Sequence, residues 1–494
     1  MRNRRQGVPE SSAIVGGRHE LSERDRFDDR KDDIALAKAK AKAKARANLF
    51  LDGNGDPMAF YHNPPSSIGG ILAQVTTLYG MPLPQTPRTA ELLHFCKWCI
   101  RRHWSTKREP DTTGTDIQVV APNMVSIDGQ SQPPVFLAEV LPWMLQSPLF
   151  PNIGILMSST TQSLEHGMEI TKNPESLALK SHVLSIIAEY MERPFESIAV
   201  EMVRCIVNLV VMEWFWGGDE SMFAHMRGIK RMIRLRKGMR GLGDIVGESI
   251  IILTDYEIAC AFETELFWQE NDPVLDEKMP TPESWADCYD SPLLTSPTSF
   301  ESIAEKLGVC SSTAKILDDV RFLTVSVTSA SASSASKTKI RSTASWLYEK
   351  LQNMPALRPT ARTKEREWIL ETVRIAAIIY SWAIKSTRQI SRFEDNVMLE
   401  EAYLAVTMVS MTTWKRIPGI FLWIMLVAAP NAAPDAKGRF VRRKMAVTGL
   451  SIGFEDFVLG ISYLKAFWSV QRWIGREGGS GVQRLEDKWS SALG

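Results

Sequence analysis

The sequence predicts an all-α protein, in which stacked antiparallel helices form one large helical domain behind a disordered N-terminal tail. From Thr86 onward, apolar residues recur at steps of three and four, the spacing that places them on one face of a helix. Signals for β-strands are scarce, and the apolar fraction of 44% and charged fraction of 23% are ordinary for a globular chain. We therefore expect residues 87–494 to form the helical domain and residues 1–86 to form the tail.

Two successive segments show this periodicity most clearly. The apolar face of the first consists of Val203, Ile206, Val207, Val210, Val211 and Trp214. Gly217 and Gly218 end that helix, and Asp219 is the predicted N-cap of the next one. The apolar side of this second helix holds Met222, Met226, Ile229 and Ile233.

Gly238 follows the second helix and fits a left-handed C-terminal cap. Asp244 is a candidate cap for a third helix, which the pattern extends to about Trp268. Similar periodicity predicts helices near residues 89–104, 174–192, 312–325, 342–353, 364–386, 393–414 and 454–475. The sequence therefore predicts helices along most of residues 87–494.

Two stretches rich in Pro and Ser, residues 271–299 and 326–337, interrupt the pattern and are predicted to be surface loops. The first is also a candidate boundary between two helical subdomains. Residues 420–433 form the longest apolar segment, but Pro430 interrupts it and it falls short of the roughly 20 residues that cross a bilayer. We expect a buried helix there and no association with a membrane.

The N-terminal tail carries most of the positive charge. Residues 1–50 contain 13 Lys and Arg against 8 Asp and Glu, a balance of +5, so that the net charge of +1 leaves −4 for the remainder. The tail includes the basic positions Lys38, Lys40, Lys42, Lys44 and Arg46. A short basic run is typical of a nuclear import signal, and a solvated charged tail is the alternative. We expect the protein to be in the nucleus.

A possible metal motif is formed by His94, Cys96, Cys99 and His103. Pairs of cysteines two residues apart are common zinc ligands, usually on a tight turn, whereas the surrounding residues here follow a helical pattern. Packing in the core is therefore the preferred interpretation, with a metal or redox site as the alternative. The sequence contains no Gly-rich phosphate loop, nucleophile elbow or zinc-protease motif, and we expect no catalytic, cofactor-binding or metal-binding residues.

The second helix also carries a basic cluster that consists of Lys230, Arg231, Arg234, Arg236 and Lys237, with Arg240 close behind. Such a face can bind an acidic partner or a phosphate, and the alternative is that it is simply solvated. Gly228 lies in the middle of this helix, where it costs roughly 1 kcal/mol relative to alanine. We therefore expect Gly228 to mark a close crossing with a neighbouring helix.

The same helix contains the main resemblance to a known family. Residues 224–233, continuing through Arg236, Gly238, Leu242 and Gly243, resemble the central motif of the fungal-specific transcription factor domain. Two further stretches agree with that family, namely residues 414–430, with Pro418-Gly419 before an apolar run, and residues 470–474. The resemblance covers about residues 87–476.

This resemblance implies an all-helical regulatory domain, which in the family usually follows a six-cysteine zinc cluster that binds DNA. Only Cys96 and Cys99 are close together in this chain, so the resemblance implies a regulatory domain without that cluster. No chemistry is transferred to the motif positions His225, Arg227, Gly228, Arg236, Gly238 and Gly243, which we expect to be mainly architectural.

The expected function is regulation of transcription through protein contacts. The expected partners are transcription factors or other regulatory proteins, with a second copy of the chain and a small-molecule effector as further candidates. We expect no direct sequence-specific binding to DNA, because residues 51–494 are slightly acidic. The alternative from another class is a helical enzyme of fungal secondary metabolism.

Overall fold

The computed structural model describes residues 150–165, 173–216, 218–238, 245–269, 285–329, 333–360 and 362–479, together with residues 481, 484, 485 and 487. Within these residues the protein is all-α and contains no β-strand, which confirms the predicted fold class. The predicted tail lies outside the described residues, as do His94, Cys96, Cys99 and His103.

Fourteen α-helices occur in the described part of the chain. The first seven are α1 (Phe150–Glu165), α2 (Pro174–Met191), α3 (Phe195–Trp216), α4 (Asp219–Leu235), α5 (Ile245–Phe262), α6 (Phe300–Leu307) and α7 (Ser311–Thr328). The other seven are α8 (Ser334–Gln352), α9 (Glu365–Ser386), α10 (Asn396–Met408), α11 (Met411–Lys415), α12 (Pro418–Ala428), α13 (Ala436–Glu455) and α14 (Phe457–Glu477). Short 3-10 turns are formed by Asp287–Tyr289, Ile390–Arg392 and Ala429–Asn431.

Polar side chains fix several of the helix starts. Asn173, Asp395, Asp435 and Asp456 each accept a hydrogen bond from a backbone N–H in the first turn of the helix that follows. Such caps satisfy N–H groups that have no partner within the helix. The starts of α2, α10, α13 and α14 are therefore fixed by capping side chains that lie next to them in the sequence.

The centre of the fold is formed by α5 and α12, which are buried on all sides. Every residue from 251 to 260 is buried, and so is every residue from 418 to 427. The expected buried helix in residues 420–433 is thus confirmed as α12, and it ends before Pro430. α5 packs against α13 and α14, so helices on either side of residues 271–299 share one hydrophobic core. None of the described helices is both long and apolar enough to cross a membrane.

The predicted surface loop at residues 271–299 is wrong for residues 289–294, which are buried, whereas residues 295 and 297–299 are exposed. Tyr289, Asp290 and Leu293 are buried. The Tyr463 hydroxyl donates a hydrogen bond to the backbone carbonyl of Tyr289, and Arg321 forms an ion pair of 2.7 Å with Asp290. These contacts come from residues far along the chain, which is why local composition did not indicate burial.

Three helix boundaries also differ from the prediction. The helix expected to reach Trp268 ends at Phe262, where Glu263 adopts a left-handed conformation with φ of 52°. The Glu263 carboxylate accepts hydrogen bonds from the backbone N–H groups of Ile390, at 2.6 Å, and Ser391, at 3.2 Å. In the second expected loop, residues 326–337, α7 extends to Thr328 and α8 already begins at Ser334.

Candidate functional site

The helix that carries the family motif is α4, and its inner side is apolar. Met222, Met226, Ile229 and Ile233 are all buried, which confirms the predicted inner face. α4 packs mainly against α3, the preceding helix. The remaining contacts of α4 fall into a polar cluster on the inner side, a clasp from the segment after α5, and anchors at both ends of the helix.

The polar cluster joins α2, α3 and α4 around Lys180. Its Nζ lies 2.6 Å from Oε1 of Glu213 on α3 and 2.9 Å from Oγ of Ser221 on α4. Burial raises the pKa of Glu213, and the adjacent Lys180 opposes part of that increase. The cluster therefore holds an ion pair at a largely buried junction of three helices.

His225 lies beside this cluster, and its Nε2 atom is buried without a hydrogen-bond partner among the described residues. Burial lowers the pKa of His225 to about 4, and repulsion from Lys180 acts in the same direction. The imidazole is therefore neutral at physiological pH and can charge only at a cost to the folded state.

The clasp is a short segment after α5, residues 267–269. The Phe267 ring packs edge-on against Phe223 with centroids 5.5 Å apart, and the Lys230 ammonium lies 4.1 Å from the Phe267 centroid. The Trp268 indole N–H donates to the carbonyl of Met226 at 2.8 Å. This clasp therefore contacts the middle of α4 at Phe223, Met226 and Lys230.

The clasp is itself held by one buried carboxylate. Asp255 on α5 accepts hydrogen bonds from the backbone N–H groups of Phe267 at 2.9 Å, Trp268 at 3.0 Å and Gln269 at 3.1 Å. Complete burial raises the pKa of Asp255 to about 6, although these hydrogen bonds favour the ionised form. Asp255 thus connects α5, at the centre of the fold, to the clasp that contacts the motif helix.

Both ends of α4 are anchored by ion pairs. Arg442 on α13 places Nη1 3.0 Å from Oδ1 and 3.2 Å from Oδ2 of Asp219. Asp219 was predicted to be the N-cap, but Gly218 occupies that position and the Asp219 carboxylate binds Arg442 instead. At the other end, Arg236 forms an ion pair with Glu196 on α3.

The C-terminal turn of α4 uses two residues with positive φ. Lys237 has φ of 62° and Gly238 has φ of 120°, and the Gly238 N–H donates to the carbonyl of Ile233 at 3.0 Å. The left-handed position predicted for Gly238 is therefore taken by Lys237, the residue before it. Gly238 follows in a backbone conformation that L side chains rarely adopt.

The expectation that Gly228 marks a close helix crossing is wrong. A Cβ added to Gly228 would meet no atom of the described residues within 4 Å, and Gly228 is only partly buried. The motif position therefore leaves open space beside α4 instead of admitting a neighbouring helix. Gly243, a further motif position, lies outside the described residues.

The exposed side of α4 is basic. We define its outer face as Arg227, Arg231, Arg234 and Leu235, all of which are exposed, with 56% of Leu235 accessible to solvent. The Arg227 guanidinium lies 5.0 Å from the Phe223 ring, which restrains its orientation. Lys230, predicted to belong to the basic face, is instead buried against Phe267, and Arg240 lies outside the described residues.

The two other motif stretches contribute mainly to the core, although Arg416 is exposed and Arg472 is partly exposed. Trp414 is buried, stacks on Phe421 with centroids 5.0 Å apart, and donates its indole N–H to the carbonyl of Val406 at 3.1 Å. Gln471 donates from Nε2 to the carbonyl of Cys260 at 2.8 Å, which ties α14 to α5. The basic outer face therefore belongs to the motif stretch on α4.

No group of three or more His, Cys, Asp and Glu side chains that could hold a metal ion occurs among the described residues. The side chains that fix α4, above all Lys180 and Asp255, were not identified from the sequence. Each is a single charged residue in a helix, and its local pattern does not differ from that of a solvated one. Their hydrogen-bond partners lie at least 12 residues away along the chain.

Comparison of the chain with models of protein families, with curated proteins and with solved structures gave no match. The resemblance to the fungal-specific transcription factor domain therefore depends on the motifs of the chain itself.

Replacing His225 by glutamine is expected to reduce the loss of stability in mild acid. Because the folded pKa lies near 4 and the ordinary value is 6.5, the unfolded chain binds the proton more tightly between these values. The contribution of His225 is thus complete above pH 6.5 and is lost as the pH falls, by about 2 kcal/mol at pH 5. Urea unfolding at pH 7.5 and pH 5 measures the difference.

The matched control for this experiment is His182→Gln, at an exposed position of α2. This control should keep the wild-type pH dependence. If His225→Gln and His182→Gln behave alike, His225 does not titrate as its burial predicts.

Proposed function

We propose that the protein is a regulator of transcription that acts in the nucleus through contacts with other proteins, transcription factors among them, and that it does not act as an enzyme. The three motif stretches support this proposal through the resemblance they carry. The observation that carries it furthest is the outer face of α4, which combines three exposed arginines with an exposed leucine on the motif helix itself.

The outer face of α4 fits a partner segment rich in Asp and Glu that also offers an apolar side chain. Opposite charges accelerate association and fix its orientation, and Leu235 supplies an apolar contact at the end of the row of arginines. The anchors of α4 through Lys180, Asp255 and Arg442 hold the helix in place before binding, which reduces the entropy lost on association. Two copies of the chain would oppose arginine to arginine at this face, so self-association through it is disfavoured.

The proposed mechanism includes no reading of DNA by the protein itself. Because α4 buries its apolar side against α3 and the clasp, only its outer face could enter a groove of duplex DNA. Residues 51–494 sum to −4, so long-range attraction to DNA is weak outside the outer face.

Purified full-length protein is therefore expected to bind a randomised duplex pool only non-specifically at physiological salt, with dissociation constants of about 10⁻⁴ to 10⁻⁶ M. A fluorescence titration followed by sequencing of the bound duplexes measures both affinity and selectivity. Enrichment of one sequence with nanomolar, competitor-resistant binding is the result that would refute this part of the proposal.

A further inference from the structure

A cavity of about 250 Å³ lies between α9, α10, α12 and the start of α13. Its walls are mainly aliphatic and aromatic side chains, including Ile379, Leu399, Val406, Ile424, Met425 and Phe440. Small-molecule sites in proteins are typically concave, mostly apolar and lined by a few polar groups. A mostly apolar cavity of this size is therefore a candidate for a bound molecule.

Three polar side chains that line the cavity are engaged by the fold. The Thr372 hydroxyl donates to the carbonyl of Trp368 at 2.8 Å, and the Asn431 amide donates to the carbonyl of Ile390 at 3.1 Å. The Asp435 carboxylate accepts from the N–H of Gly438 at 2.8 Å, where it caps α13. A ligand without charge or strong hydrogen-bonding groups therefore leaves none of these three side chains unsatisfied.

The exposed edge of the cavity carries one ion pair, between Glu400 on α10 and Lys437 on α13. The side chains are 62% and 45% exposed, and the Lys437 ammonium also lies 5.5 Å from the Tyr403 ring centroid. Exposed ion pairs contribute little to stability, so this one can open at small cost. The edge thus gives a ligand a route from solvent.

We propose that this cavity binds a small, uncharged, predominantly apolar molecule as an effector. A dry apolar cavity of about 150 Å³ accepts benzene, and sites for drug-sized ligands start at roughly 300 Å³. The cavity lies between these sizes, so the ligand is larger than benzene and the size of a fused two-ring compound. The role of the ligand as an effector rests on the proposed function, whereas its binding to the cavity is measured independently of that function.

The test uses naphthalene as the probe and purified full-length protein, with binding followed by ligand-observed nuclear magnetic resonance. Saturable binding to the wild type is expected. Ala402→Leu on α10 and Ala428→Leu on α12 each place extra atoms in the cavity and should weaken binding at least tenfold, and either variant serves if the other does not fold. Ala188→Leu, at an exposed position of α2, is the matched control and should bind as the wild type does.

Absence of saturable binding to the wild type, or equal binding by folded cavity-filling variants, would overturn the proposal. Tighter binding of 2-naphthoate than of naphthalene would overturn the assignment to an uncharged ligand. The proposed regulatory function is tested separately, in cells, with variants of the outer face of α4. Its failure can therefore be distinguished from a failure of ligand binding to the cavity.

Discussion

Replacement of Asp255 by alanine is expected to reduce the free energy of unfolding by on the order of 3–5 kcal/mol, because it leaves three backbone N–H groups without an acceptor in a buried site. The three donors belong to Phe267, Trp268 and Gln269, which form the clasp on α4. The effect is large because Asp255 is only 1% exposed, so the freed N–H groups lie away from bulk solvent. The loss should therefore extend from the clasp to the motif helix.

Urea unfolding at pH 7.5, where Asp255 with a pKa of about 6 is ionised, measures the change. Hydrogen exchange at residues 222–235 reports separately whether α4 is loosened. Asp318→Ala is the matched control, because Asp318 also accepts from two backbone N–H groups, those of Phe300 and Glu301, but at a partly exposed position. Equal losses for the two variants would contradict the role assigned to the clasp.

Replacement of Gly460 by alanine is the second change with a large expected effect. A Cβ added there would lie 2.5 Å from the Cα and 2.9 Å from the backbone N of Gly453. Both atoms belong to the backbone of α13, so α13 and α14 can accommodate the methyl group only by moving apart. We expect a loss of roughly 1–3 kcal/mol in the free energy of unfolding, measured by urea denaturation.

The control for Gly460 is the same substitution at Gly228. Because an added Cβ meets nothing within 4 Å there, Gly228→Ala should stabilise α4 by roughly 0.5–1 kcal/mol. If Gly228→Ala destabilised the protein as much as Gly460→Ala, a close helix crossing at Gly228 would be supported. That result would contradict the packing described above.

These two glycines show where prediction from sequence reached its limit. Helical periodicity correctly predicted the existence of α4 and its buried face, because that face depends only on local spacing. Tertiary packing determines which glycine lies at a close helix crossing. Local sequence does not distinguish Gly228 from Gly460, because each occurs within a helical pattern. The crossing was therefore expected in α4, whereas it lies between α13 and α14.

Buried charges were the other limit. Arg442, Arg443 and Lys444 are consecutive and all buried in α13, although a basic run normally indicates a solvated face. Arg442 is compensated by Asp219, which lies 223 residues earlier in the chain. Periodicity cannot reveal a partner at that distance, and α13 was not among the predicted helices.

The candidate site was predicted only in part, because contacts with distant segments of the chain again decide which residues are exposed. The sequence placed a basic cluster on α4, and Arg231 and Arg234 are indeed exposed. Lys230 and Arg236 were assigned to the same face, but Phe267 covers the first and Glu196 pairs with the second. Which basic residues remain on the surface depends on segments that contact α4 from elsewhere in the chain.

The most direct test of regulation through the outer face of α4 is a tethered reporter assay in fungal cells. The full-length chain is fused to a heterologous DNA-binding domain, and reporter expression is compared with that of the DNA-binding domain alone. We predict a change in expression that is abolished by the triple variant Arg227→Glu, Arg231→Glu and Arg234→Glu. The control triple variant Arg358→Glu, Arg362→Glu and Arg388→Glu, at exposed positions away from α4, should retain the change. The proposed function would be contradicted if the wild-type fusion gave the same reporter expression as the DNA-binding domain alone. It would also be contradicted if the two triple variants were comparably stable and changed reporter expression equally.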